Sequence, residues 1–348
     1  MPTQVIALIL CLAIIGTVLS DCNSCTTSGN IYCADTSDCI SVDNFNSTTC
    51  GTPINVAFNC PTPPRVPYDE EFMRTWMYVI ATAAQNENPQ LCFDNQLPTL
   101  KLYQYRTVNC SADYPDVTCC GYTAFDTTKR AIVVAFKGAH GDDQNTVLSQ
   151  GESVNGTIPF FNNGRVMQVY LDSFMALWNG GIQQDLRRLI YLYPNYELWV
   201  NGHSLGAAMA TLASAYIVKS GLFKSENMKV VTLGTPSVGD LEFAMWHYNT
   251  FVYSFHIVHR YDPVPKNSVL DTVHNITLYH QRTLVWYDNY MRVGDPYIIC
   301  LEADGPYCDG LAIQNNSMWQ DHLYYFNILL PDWGHAGCPK NISAYQQP

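Results

Sequence analysis

Basic residues are scarce in this chain. Eighteen Lys and Arg stand against 30 Asp and Glu among 348 residues, a formal net charge of −12. A surface of that sign repels phosphate backbones and anionic headgroups, which argues against nucleic acid as a partner and leaves apolar contact as the only route to a lipid interface. Long apolar runs are equally few: apart from Val5 to Leu19, no segment approaches the roughly 18 apolar residues of a membrane-spanning helix. The chain has no H-E-x-x-H, no phosphate-binding P-loop and no G-x-G-x-x-G after a strand, so neither a metal nor a nucleotide or dinucleotide cofactor is expected. It also has no internal repeat and no low-complexity tract.

The run Val5 to Leu19 carries no charge and ends in Val18-Leu19-Ser20 before polar Asp21-Cys22, the pattern of a signal peptide over 1–20 with the mature chain starting near Asp21. Because no Lys or Arg precedes it, an N-terminal membrane anchor is the competing reading. Cysteine points the same way as the signal peptide. Fourteen cysteines, 13 of them beyond Ser20, fit an oxidising compartment and a secreted or lumenal protein. Six Asn-x-Ser/Thr sequons, at Asn46, Asn109, Asn155, Asn275, Asn315 and Asn341, fit export and glycosylation. Thirteen thiols cannot all pair within one chain, so one is free or bridges to another molecule.

Six of these cysteines crowd into 21–60 among Thr, Ser, Asn and Asp, which reads as a small disulfide-stapled module with little core of its own. Cys22-x-x-Cys25 invites a zinc or redox reading, but without a second such pair in a secreted chain structural disulfides are the better account. The proline-rich stretch 61–67 reads as a linker, and 68–348 as one large domain. There Asp69 opens a helix with Phe72, Met73, Trp76, Met77, Ile80 and Ala83 at helical spacing. Ala131 to Phe136 is continuously apolar, as a strand covered on both faces would be. Strands over Lys229–Leu233 and Phe251–Val258, with a helix near Asp240–Tyr248 between them, imply an α/β fold with a mostly parallel sheet.

The most informative stretch is Val200-Asn201-Gly202-His203-Ser204-Leu205-Gly206-Ala207-Ala208. An apolar strand precedes it and a small-residue helix follows, so the five letters G-x-S-x-G become a nucleophile elbow with Ser204 at its tip. The letters alone arise by chance in roughly one chain in ten of this length; the strand-then-helix context is what raises them above that background. A serine nucleophile needs a base and an orienting acid further along the chain. Asp262, in His259-Arg260-Tyr261-Asp262-Pro263-Val264-Pro265, sits just past an apolar strand, where sites form in parallel sheets. Its structural alternative is turn initiation before Pro263. Four histidines follow it, His274, His280, His322 and His335, and spacing alone does not separate them, although His322 lies at a polar-to-apolar junction and His280 reads as a packing residue.

Taken together, these motifs resemble the class 3 lipase family, the fungal-type lipases of the α/β-hydrolase fold. The likeness covers roughly Tyr68 to Cys338. It rests on Val133 to Gly138, on Leu177-Trp178 and Asp185-Leu186 ahead of Tyr191 to Tyr196, on Gly202 to Ala208, on Thr232 to Asp240, on His259 to Pro265, and on Asp321-His322. The resemblance implies Ser204 as nucleophile, His322 as general acid/base, Asp262 as its orienting acid, and the backbone N–H groups of Leu205 and Ala139 as the oxyanion hole. It implies no cofactor, a lid over 140–168, and lipid or another ester as substrate, met at a lipid interface.

Three departures qualify the likeness. Lys137-Gly138-Ala139 stands where the family has Arg-Gly and then Ser or Thr, which removes a side-chain hydroxyl from the oxyanion site. The loss of one donor costs about 2.7–4 kcal/mol where that donor contributes fully, which predicts a slower enzyme. The lid segment is rich in Asp, Asn and Gly, with only Val147-Leu148 and Ile158-Pro159-Phe160-Phe161 suited to lipid. The cysteine-rich module is the third. The resulting expectation is a secreted acylglycerol lipase working through an acyl-enzyme. An esterase for soluble, feruloyl-type esters and a catalytically silent lipid-binding homologue are the alternatives.

Overall fold

The computed structural model describes residues 22–111, 114–139, 155–267, 270–304 and 318–347. The signal-peptide reading, the first half of the lid segment with Val147-Leu148, and the sequon at Asn315 lie outside the described residues.

Residues 22–60 form a three-stranded antiparallel sheet in the order β2-β1-β3, from β1 Ile31–Cys33, β2 Asp38–Ile40 and β3 Pro53–Ile54. Its core is small, Tyr32 and Ile54 with Cys22, Cys25 and Cys60. Disulfides Cys22–Cys60, Cys25–Cys39 and Cys33–Cys50 supply what the core lacks. Closing a loop of this size removes about 3 kcal/mol of unfolded-chain entropy. The proline-rich stretch is not a free tether. Thr62 N donates to Leu301 O, and the Arg65 guanidinium lies 4.1 Å over the Tyr248 ring.

The larger unit is built on an eight-stranded sheet, β15-β14-β11-β10-β9-β6-β5-β4. Its antiparallel flank is β4 Leu100–Ser111, β5 Tyr114–Asp126 and β6 Ala131–Phe136. The centre, β6, β9 Glu197–His203, β10 Met228–Leu233, β11 Tyr253–His259 and β14 Leu284–Tyr287, is parallel, and β15 Ile298–Ile299 closes the other edge antiparallel. Continuous apolarity in the central strands follows from burial on both faces. Ile132, Val134 and Phe136 of β6 enter one core with Leu198 and Val200 of β9, while Ala131, Val133 and Ala135 enter the opposite core with Trp199.

The first core is covered by α3 Gln168–Leu177, α4 Gln183–Leu192 and α5 Leu205–Lys219. The second lies under α1 (70–83), α2 Gln90–Gln96 and α8 Leu330–His335. The expected cap holds: the Asp69 carboxylate accepts from Phe72 N at 3.0 Å, satisfying one of the free N–H groups of the first turn. Met73, Met77, Ile80 and Ala83 are buried, as their spacing predicts. Tyr78 and Val79 are buried as well, because Trp333 of α8 stacks on Tyr78 and covers the outer face. Cys92–Cys338 ties α2 to the C-terminal segment, and Cys110–Cys119 staples the outer end of β4 and β5. Cys300 is disulfide-bonded too. Among the described residues the free cysteine is Cys120, in the larger unit; it is buried and hydrogen-bonds Thr107, which fits the free-thiol alternative over a bridge to another molecule.

The described part of the lid segment is a hairpin, β7 Thr157–Pro159 against β8 Arg165–Met167. Of the two phenylalanines expected to meet lipid, Phe160 is instead buried edge-on against Phe243, and Phe161 is exposed at the turn. Asp271, of the short ladder β12 Leu270–Asp271 with β13 Ile276–Thr277, accepts from Thr157 N, Thr157 Oγ1 and His274 Nδ1 and fixes the root of the hairpin.

Candidate active site

Between β9 and α5 the chain turns through one residue. Ser204 has φ 58° and ψ −127°, the strained conformation that lifts a nucleophile off the end of its strand. Both flanking glycines are required by space. A Cβ on Gly202 would lie 2.1 Å from Gly206 O, and one on Gly206 would lie 2.2 Å from Phe136 O. Strand, helix and the neighbouring strand end thus meet backbone to backbone around Ser204.

Ser204 N donates to Leu233 O at 3.0 Å, which pins the elbow to the end of β10. The next residue there, Gly234, is packed against the rest of the cluster: a Cβ on it would lie 2.6 Å from Asp262 Oδ2, 2.8 Å from Tyr325 Oη and 3.1 Å from His322 Nδ1. Asp262 follows β11, and His322 sits on the five-residue helix α7 Trp319–Leu323. Two segments far apart in the chain are held together by three hydrogen bonds, each with a backbone group on at least one side. Met318 N donates to Tyr261 O, Tyr261 N donates to Asp321 Oδ2, and His259 Nδ1 donates to Asp321 O.

His322 Nδ1 lies 2.9 Å from both Asp262 oxygens. A carboxylate only accepts, so Nδ1 carries the proton and Nε2 is left with a free lone pair. Asp262 is fully buried and accepts further bonds from Val264 N at 2.9 Å and Tyr325 Oη at 2.7 Å. Burial alone would raise its carboxyl, but the charge and hydrogen bond of His322, then Tyr325 and Val264, hold it below the usual carboxylate range. Tyr325 is pushed well above the ordinary phenol value, by burial first and then by the Asp262 charge, and so remains a donor. No hydrogen bond joins Ser204 Oγ to His322 among the described residues; such contacts are commonly long before substrate binds and tighten in the complex.

Leu205 heads α5, so its N–H has no partner within the helix. Gly138 brings the other strand end to the same place, since a Cβ on it would lie 3.3 Å from Ser204 Cβ. Among the described residues neither Leu205 N nor Ala139 N has a backbone acceptor. The remaining candidate histidines are occupied elsewhere. His280 bonds Asp304 at 2.6 Å and Ser237 at 3.2 Å, as its packing reading anticipates, and His274 pairs with Asp271. Sequence reasoning missed Tyr325 and the Arg260–Asp321 ion pair, because each acts across about 60 residues with no local signature. It also gave His203 no role. No group of three or more potential metal ligands occurs among the described residues.

The family model described as lipase (class 3) matches residues 133–272, which span the elbow and Asp262. A lipase of Caenorhabditis elegans is 30% identical over 263 residues, 68% of this chain and 73% of that protein. The secreted mono- and diacylglycerol lipase A of Penicillium camembertii is 30% identical over 226 residues, 62% of this chain and 70% of that protein. Among solved structures the triacylglyceride lipase of Rhizomucor miehei superposes with a TM-score of 0.61 at 19% identity, over 76% of this chain and 97% of that one, a likeness of fold. With matched motifs, matched length and matched topology, the chain belongs to the class 3 lipase family.

Proposed function

We propose that this class 3 lipase hydrolyses acylglycerol esters outside the cell through Ser204, His322 and Asp262. His322 Nε2 takes the Ser204 proton as Oγ attacks the ester carbonyl, and the N–H groups of Leu205 and Ala139 hold the oxyanion. The protonated His322, stabilised by the buried Asp262 carboxylate, then returns the proton to the leaving alcohol. Water repeats the cycle on the acyl-enzyme. The chemistry needs no cofactor. The observation that carries the reading is the buried Asp262–His322 pair facing a strained serine elbow.

The acylglycerol substrate rests on the relatives' names and on the exposed apolar side chains beside the site. Trp319 is 59% exposed and packs edge-on with His322, ring centroids 5.7 Å apart, and Met318 precedes it, 47% exposed. These favour a lipid interface over dissolved esters. Export rests on the five disulfides among the described residues and on the secreted relative. No described helix is long and apolar enough to cross a membrane. The division into a cysteine-rich module over 21–60 and a hydrolase domain from 68 belongs to the same reading.

Labelling with a lipid-like organophosphonate, followed by peptide mapping, should modify Ser204 alone, and Ser204→Ala should abolish both labelling and hydrolysis of emulsified acylglycerol. Full turnover by S204A would refute the assignment, and preference for dissolved short-chain esters would favour the soluble-ester alternative.

A further inference from the structure

The residue before the nucleophile, His203, makes a contact that the reaction scheme leaves unused. Its ring is buried, with 4% of its surface exposed, and Nε2 lies 2.8 Å from the backbone carbonyl oxygen of His322. A carbonyl oxygen only accepts, so His203 Nε2 is the donor and the ring is held as one tautomer. The two imidazoles lie nearly face to face, centroids 4.5 Å apart and planes inclined by 32°, with the Tyr325 ring edge-on to His203 at 5.5 Å. The opposite ring nitrogen, Nδ1, turns toward Gly138 on the oxyanion side.

We infer that His203 is a positioning residue: its Nε2–H bond to the His322 carbonyl fixes the catalytic base in register with the nucleophile next to it in the chain. The inference rests on the triad proposed above. Asp262 holds the His322 side chain, and the bonds through Met318 and Asp321 tie the five-residue α7 to the end of β11, but none of these attachments reaches the elbow that carries Ser204. His203 supplies the attachment from the elbow side, and it sits one peptide bond from Ser204. Movement of His322 away from the elbow must therefore break that bond.

The tether must also be neutral, because a second positive ring beside His322 would oppose the imidazolium that forms there during acyl transfer. Burial first, and then the neighbouring His322 charge, push His203 down to about 3, so it stays uncharged where the enzyme works. An arginine or lysine donor at this position would reach the carbonyl with the wrong charge.

The test compares His203→Phe, which keeps an aromatic ring and removes the donor, with His203→Gln, whose amide N–H reaches the same distance uncharged. For H203F the expected result is a fall in kcat of about 10- to 100-fold, the scale of a catalytic group displaced by about 1 Å, with KM within about twofold of wild type. H203Q should recover most of that loss. Burst titration with the organophosphonate counts folded, reactive serines in each variant, and rates are taken per titrated site, so loss of fold is not read as loss of positioning. If H203F does not accumulate as folded protein, H203M replaces it as the donor-free variant. Wild-type kcat in the donor-free variant, with S204A inactive, would overturn this inference alone. Equal losses in H203Q and the donor-free variant would also overturn it, since ring packing rather than the donor would then matter. Activity in S204A would overturn the triad and this inference together.

Discussion

Asp262 shows how much a single buried carboxylate depends on its donors. Fully buried, it is kept ionised by His322, Tyr325 and Val264 N, each a charge-assisted bond with no water to replace it. Removing the phenol hydroxyl in Tyr325→Phe should cost about 1.5–3 kcal/mol of that support and raise the Asp262 pKa. The expected readout is a kcat lower by about 10- to 100-fold, with an unchanged count of titratable serines and a weaker response of KM. A variant at wild-type rate would show that two donors suffice. At this scale the sequence was partly legible. Ser204 declares itself because the elbow is local, its glycines and helix lying within five residues. Asp262 is placed by the strand before it. His322 stood out from three other histidines only through family likeness, because what distinguishes it is a partner 60 residues away. Tyr325 and His203 left no trace in the sequence for the same reason.

Among the elements, the elbow is the least forgiving. Gly206→Ala would drive a methyl group to 2.2 Å from Phe136 O and to 2.9 Å from the Lys137 carbonyl carbon, both backbone atoms that cannot rotate away. The expected outcome is loss of soluble, folded protein or a fall in Tm of ten degrees or more, read by circular dichroism; a variant of normal Tm would mean that β6 and α5 can separate without cost. The central strands were readable because burial on both faces writes an unbroken apolar run. The hairpin of β7 and β8 was not. Its apolar tetrad looked like a uniform lipid-facing stretch, yet the alternation of a short hairpin turns Phe160 into the core and Phe161 out.

Across the whole molecule, buried neutral histidines tie stability to pH. His203 and His247 are pushed down to about 3 and His256 well below its ordinary value, in each case chiefly by burial. With folded pKa values below the unfolded value of 6.5, the unfolded chain binds more protons as acidity rises, so this stability is intact above about pH 6.5 and falls steadily toward pH 3. Each such histidine removes up to about 1.4 kcal/mol per pH unit in that window. Tm should therefore decline from about pH 7 to pH 4, and His247→Gln, away from the active site, should flatten the decline. An unchanged slope in H247Q would show that the titrating groups lie elsewhere. The global architecture, a mostly parallel sheet behind a cysteine-rich start, followed from composition and strand spacing. How the two pack together did not, because it depends on Arg282, which donates to Phe58 O and Cys60 O while lying over the Phe58 and Tyr248 rings.

Beside that clamp, the attachment apart from the peptide chain is one small apolar cluster, Phe58 and Val56 against Leu241, Ala244, Tyr248, Tyr279 and Ala303. Cys22, Cys25, Cys33, Cys39, Cys50 and Cys60 bond only with one another. A protease that cuts once between Cys60 and Tyr68 would leave a stapled fragment gripped by one guanidinium and the small Phe58 cluster, able to dissociate as a separate small protein without any reductant.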